Sequence, residues 1–290
     1  MYAEYDLDIP GNLDRALEDL AGAEAGGRKI VPLAGGTNLI VDIRARRERP
    51  DRVVGLANVG ELCGIEAGAE SIAIGARTTV SDLLASAEIA AAAPSLIDAC
   101  KVFAGQMVRN TATVGGNIAC GSPAADLVPP LMSLDAELTL ASKSGQRTVP
   151  LDEYCLGYKQ DARRPDELIT KISWPRLPAN AVNSFYKLAR RKGDAITITG
   201  VAVTVAAEGG KCTMARIALG AVAPVVLRAK AAEAMLEGEA LTPELIADAA
   251  ASAAGECSPI DDVRASAEYR RHTVEALTRR LVSQAWDRLA

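Results

Sequence analysis

Hydrophobic and polar positions along the 290-residue chain change period several times. Between Asn12 and Gly27, Leu13, Ala16, Leu17 and Leu20 recur at helical spacing, which predicts a helix with one buried face and a C-cap at Gly26-Gly27. "KIVPLAGGTNLIVDIR" then reads as a strand, a glycine-rich break and a second apolar run, with Pro32 confining part of the strand to an edge or an irregular segment. Short strands are expected at "RVVGL" and at "SIAIGA", where Ile72 and Ile74 share a face. Thr79 followed by Asp82 predicts a capping box opening one Ala-rich helix over "SDLLASAEIAAAAPSL", and a further helix is expected over "PSLIDACKVFAG". "ELTLAS" and "RTVPL" are set to pair across the turn "KSGQ".

After "ISWPRLPANAV" the pattern changes. Two long alternating strands flank Glu208-Gly209-Gly210 as a hairpin, and from Leu227 onward the chain reads as helical with breaks near Gly238 and Pro259. Val274, Leu277, Leu281, Ala285 and Leu289 form one stripe of the last helix. Strands followed by a run of helices describe a separate α+β unit, so a boundary is expected in the Pro-containing connection around 175–183.

Composition narrows the function classes. With 49% hydrophobic and 24% charged residues, the chain has the balance of a globular protein with a real core. A net charge of −5 and the lack of a basic stripe argue against a nucleic-acid partner. No run approaches the roughly 18 apolar residues of a membrane-spanning helix. The N-terminus "MYAEYDLDIP" has neither the cationic start nor the apolar segment of a signal peptide, so a cytoplasmic location is expected. The 6 cysteines are scattered without a close pair, which indicates neither a disulfide scaffold nor a metal cradle. The single histidine, His272, sits in a charged helical stretch and reads as structural; no catalytic constellation and no metal site are expected.

Two glycine-rich breaks carry the remaining chemistry: "AGGTN" (34–38) and "VGGN" (114–117). Without a Cβ the backbone can take positive φ and approach a ligand, and successive N–H groups can then point into one concavity that suits an anion. Thr37, Asn38, Thr113 and Asn117 could add hydrogen bonds to phosphate oxygens. One such break is more often a turn than a site; two in one domain favour a diphosphate held between them. Neither a P-loop signature nor a Rossmann fingerprint is present, which leaves a dinucleotide on a non-Rossmann fold.

The segments "VPLAGGTNLIVDIR", "FAGQMVRNTATVGGNIACGSPAADLVPPLMSLDAEL", "DELITKISWP", "SFYKLARRKGD" and "RIALGAVAPVVLRAKAAEAMLEG" occur in this order. Together they resemble the FAD-binding (medium) subunit of molybdenum hydroxylases, the family of carbon monoxide dehydrogenase medium subunit and the xanthine dehydrogenase FAD domain. The resemblance implies an α+β fold: an FAD-binding domain of vanillyl-alcohol-oxidase type over 1–177, in subdomains of about 1–57 and 58–177, then a C-terminal α+β domain over 178–290 with a small antiparallel sheet and a helical bundle. It assigns the FAD pyrophosphate to Pro32, Leu33, Ala34, Gly35, Gly36, Thr37, Asn38 and Leu39 and to Thr113, Val114, Gly115, Gly116 and Asn117. Phe103 matches an aromatic packed on the adenine, with a core Phe as the other reading. Asp126 falls where the family uses an acid on the ribose or adenine side, a helix N-cap being its alternative. Ile169 corresponds to a backbone contact and Lys187 to a cation near the flavin. Ala195 departs from the pattern, standing where carbon monoxide dehydrogenase-like members tend to carry an aromatic that can shield the flavin ring.

The implied function is electron transfer. A large molybdopterin-binding subunit would oxidise the substrate, a small subunit with two 2Fe-2S clusters would relay electrons, and FAD on this chain would pass them to an acceptor, in a dimer of heterotrimers. The alternatives are a self-contained flavin oxidase or reductase on the same fold and a non-catalytic assembly protein of the complex. Substrate and acceptor stay open.

Overall fold

The computed structural model describes residues 4–191 and 193–289. The chain opens with strand β1 (Asp6–Asp8) and helix α1 (Leu13–Gly26). Asn12 caps α1 by accepting from the Arg15 N–H, and Gly27 ends it at φ 61°, a left-handed conformation that suits a residue without Cβ. Strand β2 (Ile30–Leu33), helix α2 (Leu39–Arg44) and strand β3 (Arg52–Gly55) complete a parallel sheet of order β1-β3-β2. Pro32 therefore lies on an edge strand, where its missing N–H leaves one side of the ladder untouched. Ala16, Leu17 and Leu20 of α1 pack with Ile30, Val54 and Leu56 into a small core of their own.

A second sheet, of order β4-β5-β10-β6-β7, is antiparallel. Its first strands are β4 (Ile65–Ala67) and β5 (Ser71–Gly75). Helices α3 (Val80–Ala85), α4 (Ala87–Ala92), α5 (Pro94–Val102), α6 (Gln106–Arg109), α7 (Val114–Ala119) and α8 (Val128–Ser133) follow. The Thr79/Asp82 capping box is present. The single Ala-rich helix expected after it is broken at Ser86, whose side chain accepts from the Ile89 N–H and starts a new helix. Strands β6 (Glu137–Ser142) and β7 (Gly145–Pro150) form the expected hairpin, followed by the short helix α9 (Leu151–Tyr154) and a two-stranded ribbon of β8 (Cys155–Gly157) and β9 (Gln160–Asp161). Strand β10 (Leu168–Pro175) returns to the middle of the sheet between β5 and β6, with a bulge between Ile169 and Lys171.

The third sheet is antiparallel: β11 (Ala181–Ala189), β12 (Thr197–Glu208), β13 (Lys211–Gly220) and β14 (Leu227–Arg228) in that order. Helices α10 (Lys230–Leu236), α11 (Pro243–Gly255) and α12 (Ala267–Leu289) cover one face. Val201, Val203 and Val205 point into that layer with Val274, Leu277 and Leu281. The opposite face carries small residues because α8 lies against it: Ala202 and Ala218 join the central core, and a Cβ on Gly220 would meet the Pro129 ring at 2.9 Å. Both faces of β12 are therefore covered.

Candidate functional site

A cleft of about 760 Å³ runs between the first two sheets and reaches the start of the third. It lies within the size range of small-molecule and cofactor pockets. Of the residues singled out above, Pro32, Leu33, Ala34, Gly35, Gly36, Thr37, Asn38, Leu39, Phe103, Thr113, Gly115, Gly116, Asn117, Asp126, Ile169 and Lys187 line it. Val114 does not: its side chain is fully buried in the central core and its N–H donates to the Thr78 carbonyl at 3.0 Å.

The two glycine segments meet but are not equivalent. The second is the opening turn of α7, and its amides are already committed. Gly115 N–H donates to Ala76 O at 2.8 Å, Gly116 N–H to Thr113 Oγ1 at 3.1 Å and Asn117 N–H to Thr113 O at 2.9 Å. Thr113 is thus the N-cap of α7, and the Asn117 carboxamide oxygen accepts from the Leu127 N–H. In the first segment no backbone carbonyl among the described residues accepts from the N–H groups of Gly35, Gly36, Thr37 or Asn38. That segment holds the free donors an anion needs, and the second buttresses it. The glycines serve this packing: a Cβ on Gly35 would collide with the carbonyl oxygen of Thr111, and one on Gly115 would lie 2.7 Å from the Ala76 methyl. Only Gly36, at φ 70°, needs glycine for its own backbone conformation.

Asp126 and Lys187 form one unit. Lys187 Nζ donates to one carboxylate oxygen at 2.6 Å and Thr197 Oγ1 to the other at 2.5 Å. Burial pushes the Asp126 carboxyl up, and Lys187 and Thr197 pull it back only in part. The helix N-cap reading of Asp126 is not met, since Leu127 occupies that position before α8. Phe103 closes α5 and is buried in the central core while also reaching the cleft wall. The bulge in β10 presents Ile169 to the cleft. Ala195 lies on the rim next to Ile196, whose side chain is half exposed. Cys120 also lines the cleft, its thiol donating to Asn117 O at 3.0 Å; burial raises its pKa and keeps it a thiol.

Charged lining residues that the sequence reading did not single out are Lys29, Asp42, Glu48, Arg77, Lys159, Asp161, Arg163 and Asp194. They come from segments far apart in sequence, and no local spacing marks them. Lys159, on the β8–β9 turn, reaches Asp42 of α2 at 3.1 Å, and Arg163 pairs with Asp161 at 2.8 Å. The free amides, the apolar walls around Leu56, Leu62, Phe103 and Leu168 and the buried carboxylate fit an extended dinucleotide with an anionic centre.

Residues 4–177 match the family described as FAD binding domain in molybdopterin dehydrogenase, and residues 184–285 match the CO dehydrogenase flavoprotein C-terminal domain. The carbon monoxide dehydrogenase medium chain of Hydrogenophaga pseudoflava is 33% identical over 258 residues, covering 89% of this chain and 90% of that one. The 6-hydroxypseudooxynicotine dehydrogenase complex subunit alpha of Paenarthrobacter nicotinovorans is 31% identical over 98% of this chain and 95% of its own length. A solved structure of the Hydrogenophaga pseudoflava carbon monoxide dehydrogenase, in a form lacking the Mo-pyranopterin moiety, superposes with a TM-score of 0.95 at 33% identity, covering 100% of both chains.

Proposed function

The chain belongs to the family of FAD-binding subunits of molybdopterin dehydrogenases, and on that premise we propose that it is the electron-transfer subunit of a multi-subunit molybdenum hydroxylase, binding FAD in the cleft described. The observation that carries this reading is the row of uncommitted amides at Gly35–Asn38, braced by the first turn of α7.

The residues have separable tasks. The amides of 35–38 hold the diphosphate with donors fixed before binding, which limits the ordering cost. Asp126, held by Lys187 and Thr197, retains acceptor capacity for a ribose hydroxyl. Lys187 pairs with that carboxylate at 2.6 Å, which balances its charge within the cleft. Phe103 and Ile169 supply apolar surface and exclude water from the cleft. No general acid or base on this chain is required. When bound, FAD supplies the redox chemistry, accepting electrons and handing them to an external acceptor.

The partners we propose are a large molybdopterin-binding subunit and a small subunit with 2Fe-2S clusters, in a dimer of heterotrimers in the cytoplasm. Residues 1–177 form the FAD-binding part and 178–290 the C-terminal domain. No helix among the described residues is long and apolar enough to cross a membrane. The chain purified from its native host tests this directly. Flavin absorbance and co-purifying subunits that contain molybdenum and iron-sulfur are expected. Absence of flavin would favour the assembly-protein alternative, and full-rate substrate turnover by the isolated FAD-loaded chain would favour the self-contained oxidase.

A further inference from the structure

The cations that line the cleft are Lys29, Arg77, Lys159, Arg163 and Lys187. Lys29 pairs with Glu48, Lys159 with Asp42, Arg163 with Asp161 and Lys187 with Asp126, each partner also in the lining. Among the described residues no carboxylate forms an ion pair with Arg77. Its one side-chain hydrogen bond runs from Nη1 to the Val59 carbonyl at 3.0 Å, and none of its remaining donors is a buried unpartnered atom. The guanidinium is thus anchored at one nitrogen and open at the others.

Its place in the chain matters as much as its charge. Arg77 N–H donates to Leu62 O at 2.7 Å, and the preceding residue, Ala76, accepts from Gly115 and packs against it. Val59, the anchor, belongs to the same loop as Leu56, whose N–H donates to Leu33 O just before the first glycine segment. Arg77 is therefore tied to the bases of both glycine segments.

We propose that Arg77 is the diphosphate-recognising cation of this cleft, the one lining cation among the described residues that no carboxylate ion pair neutralises. The proposal rests on the reading that FAD occupies the cleft. Amide donors contribute only partial charges, whereas a dianionic diphosphate gains from a full charge with planar, forked donors. The four internally paired cations already have their charge balanced by a carboxylate in the same lining.

The test uses flavin-free protein titrated with FAD, ADP and riboflavin by calorimetry, for wild type, Arg77→Met and Arg77→Lys. FAD and ADP binding by Arg77→Met should weaken by about tenfold or more, the effect of losing one charged hydrogen bond, with riboflavin binding unchanged. The salt dependence of ADP affinity should also flatten in Arg77→Met and persist in Arg77→Lys, which keeps the charge. Should Arg77→Met fail to fold, Arg77→Lys decides: losing the fork should still weaken ADP binding relative to riboflavin. Wild-type affinity for ADP and FAD in the folded Met variant, or in the Lys variant when only that one folds, would overturn the role of Arg77 alone. A wild type that binds neither FAD nor ADP would overturn the cofactor reading and this proposal with it.

Discussion

At the scale of single residues, Gly35 shows how a sequence signal can carry a different cause. The paired glycines read as a backbone made free to approach a ligand. In the folded chain a Cβ at Gly35 would instead collide with the Thr111 carbonyl, so glycine is needed where the two segments touch. Gly35→Ala should purify with little or no flavin, because separating the segments disorders the free amides. Gly105→Ala, where an added Cβ has nothing within 4 Å, should keep the wild-type flavin-to-protein ratio. Absorbance of the two variants at equal protein concentration checks this. Thr113 and Asn117 show the same difference from the other side: as sequence they are candidate phosphate donors, and in the structure they cap α7 and hold the loop before α8.

Among the elements, α12 is pinned to the third sheet through its first turn. Arg270 is buried and donates to Ile198 O at 2.6 Å and Ala221 O at 2.8 Å, while its Nη2 meets Asp262 at 2.9 Å. Burial pushes the Asp262 carboxyl up, but hydrogen bonds from Arg264, Ala265 and Arg270 outweigh it and bring the pKa to about 2. A carboxylate depressed in the folded state stabilises above its unfolded pKa, and the contribution is lost as pH falls through the folded value. Asp262→Asn should therefore cost about 2 kcal/mol at neutral pH, by leaving a buried guanidinium less well paired. The gap to wild type should close as pH falls from about 4 toward 2; urea melts across that range measure it. The stripe on α12 was legible from 3.6-residue periodicity, but its anchor was not, since Asp262 and Ile198 are brought together only by the fold. The break at Ser86 was missed for a related reason: the Ala-rich run favours helix throughout, and a local cap overrides it.

For the molecule as a whole, the third sheet is joined to the rest through a buried polar knot. Asn183 accepts from the Ser95 N–H at 2.9 Å and donates to Thr204 Oγ1 at 2.7 Å, and Thr204 in turn donates to the Ser133 carbonyl at 2.7 Å. Asn183→Ala strands several buried groups at once and should cost about 2–3 kcal/mol. Thermal unfolding followed by circular dichroism and by flavin release should show both signals shifted down together, since the joint couples sheet and cleft. The sequence alone determined most of the secondary structure and the family, because helical and strand periodicity and a run of short motifs are properties of neighbouring residues. It also marked most of the cleft lining, because the motifs fall on the segments that form it. Tertiary structure alone decided which glycine segment keeps its amides free, that Asp126 and Lys187 act as a pair, and that Arg77 has no carboxylate partner among the described residues. Hydrogen-bond commitment and charge balance depend on groups far apart in the chain, 117 residues for Lys159 and Asp42, and only the folded chain brings those groups within reach of one another.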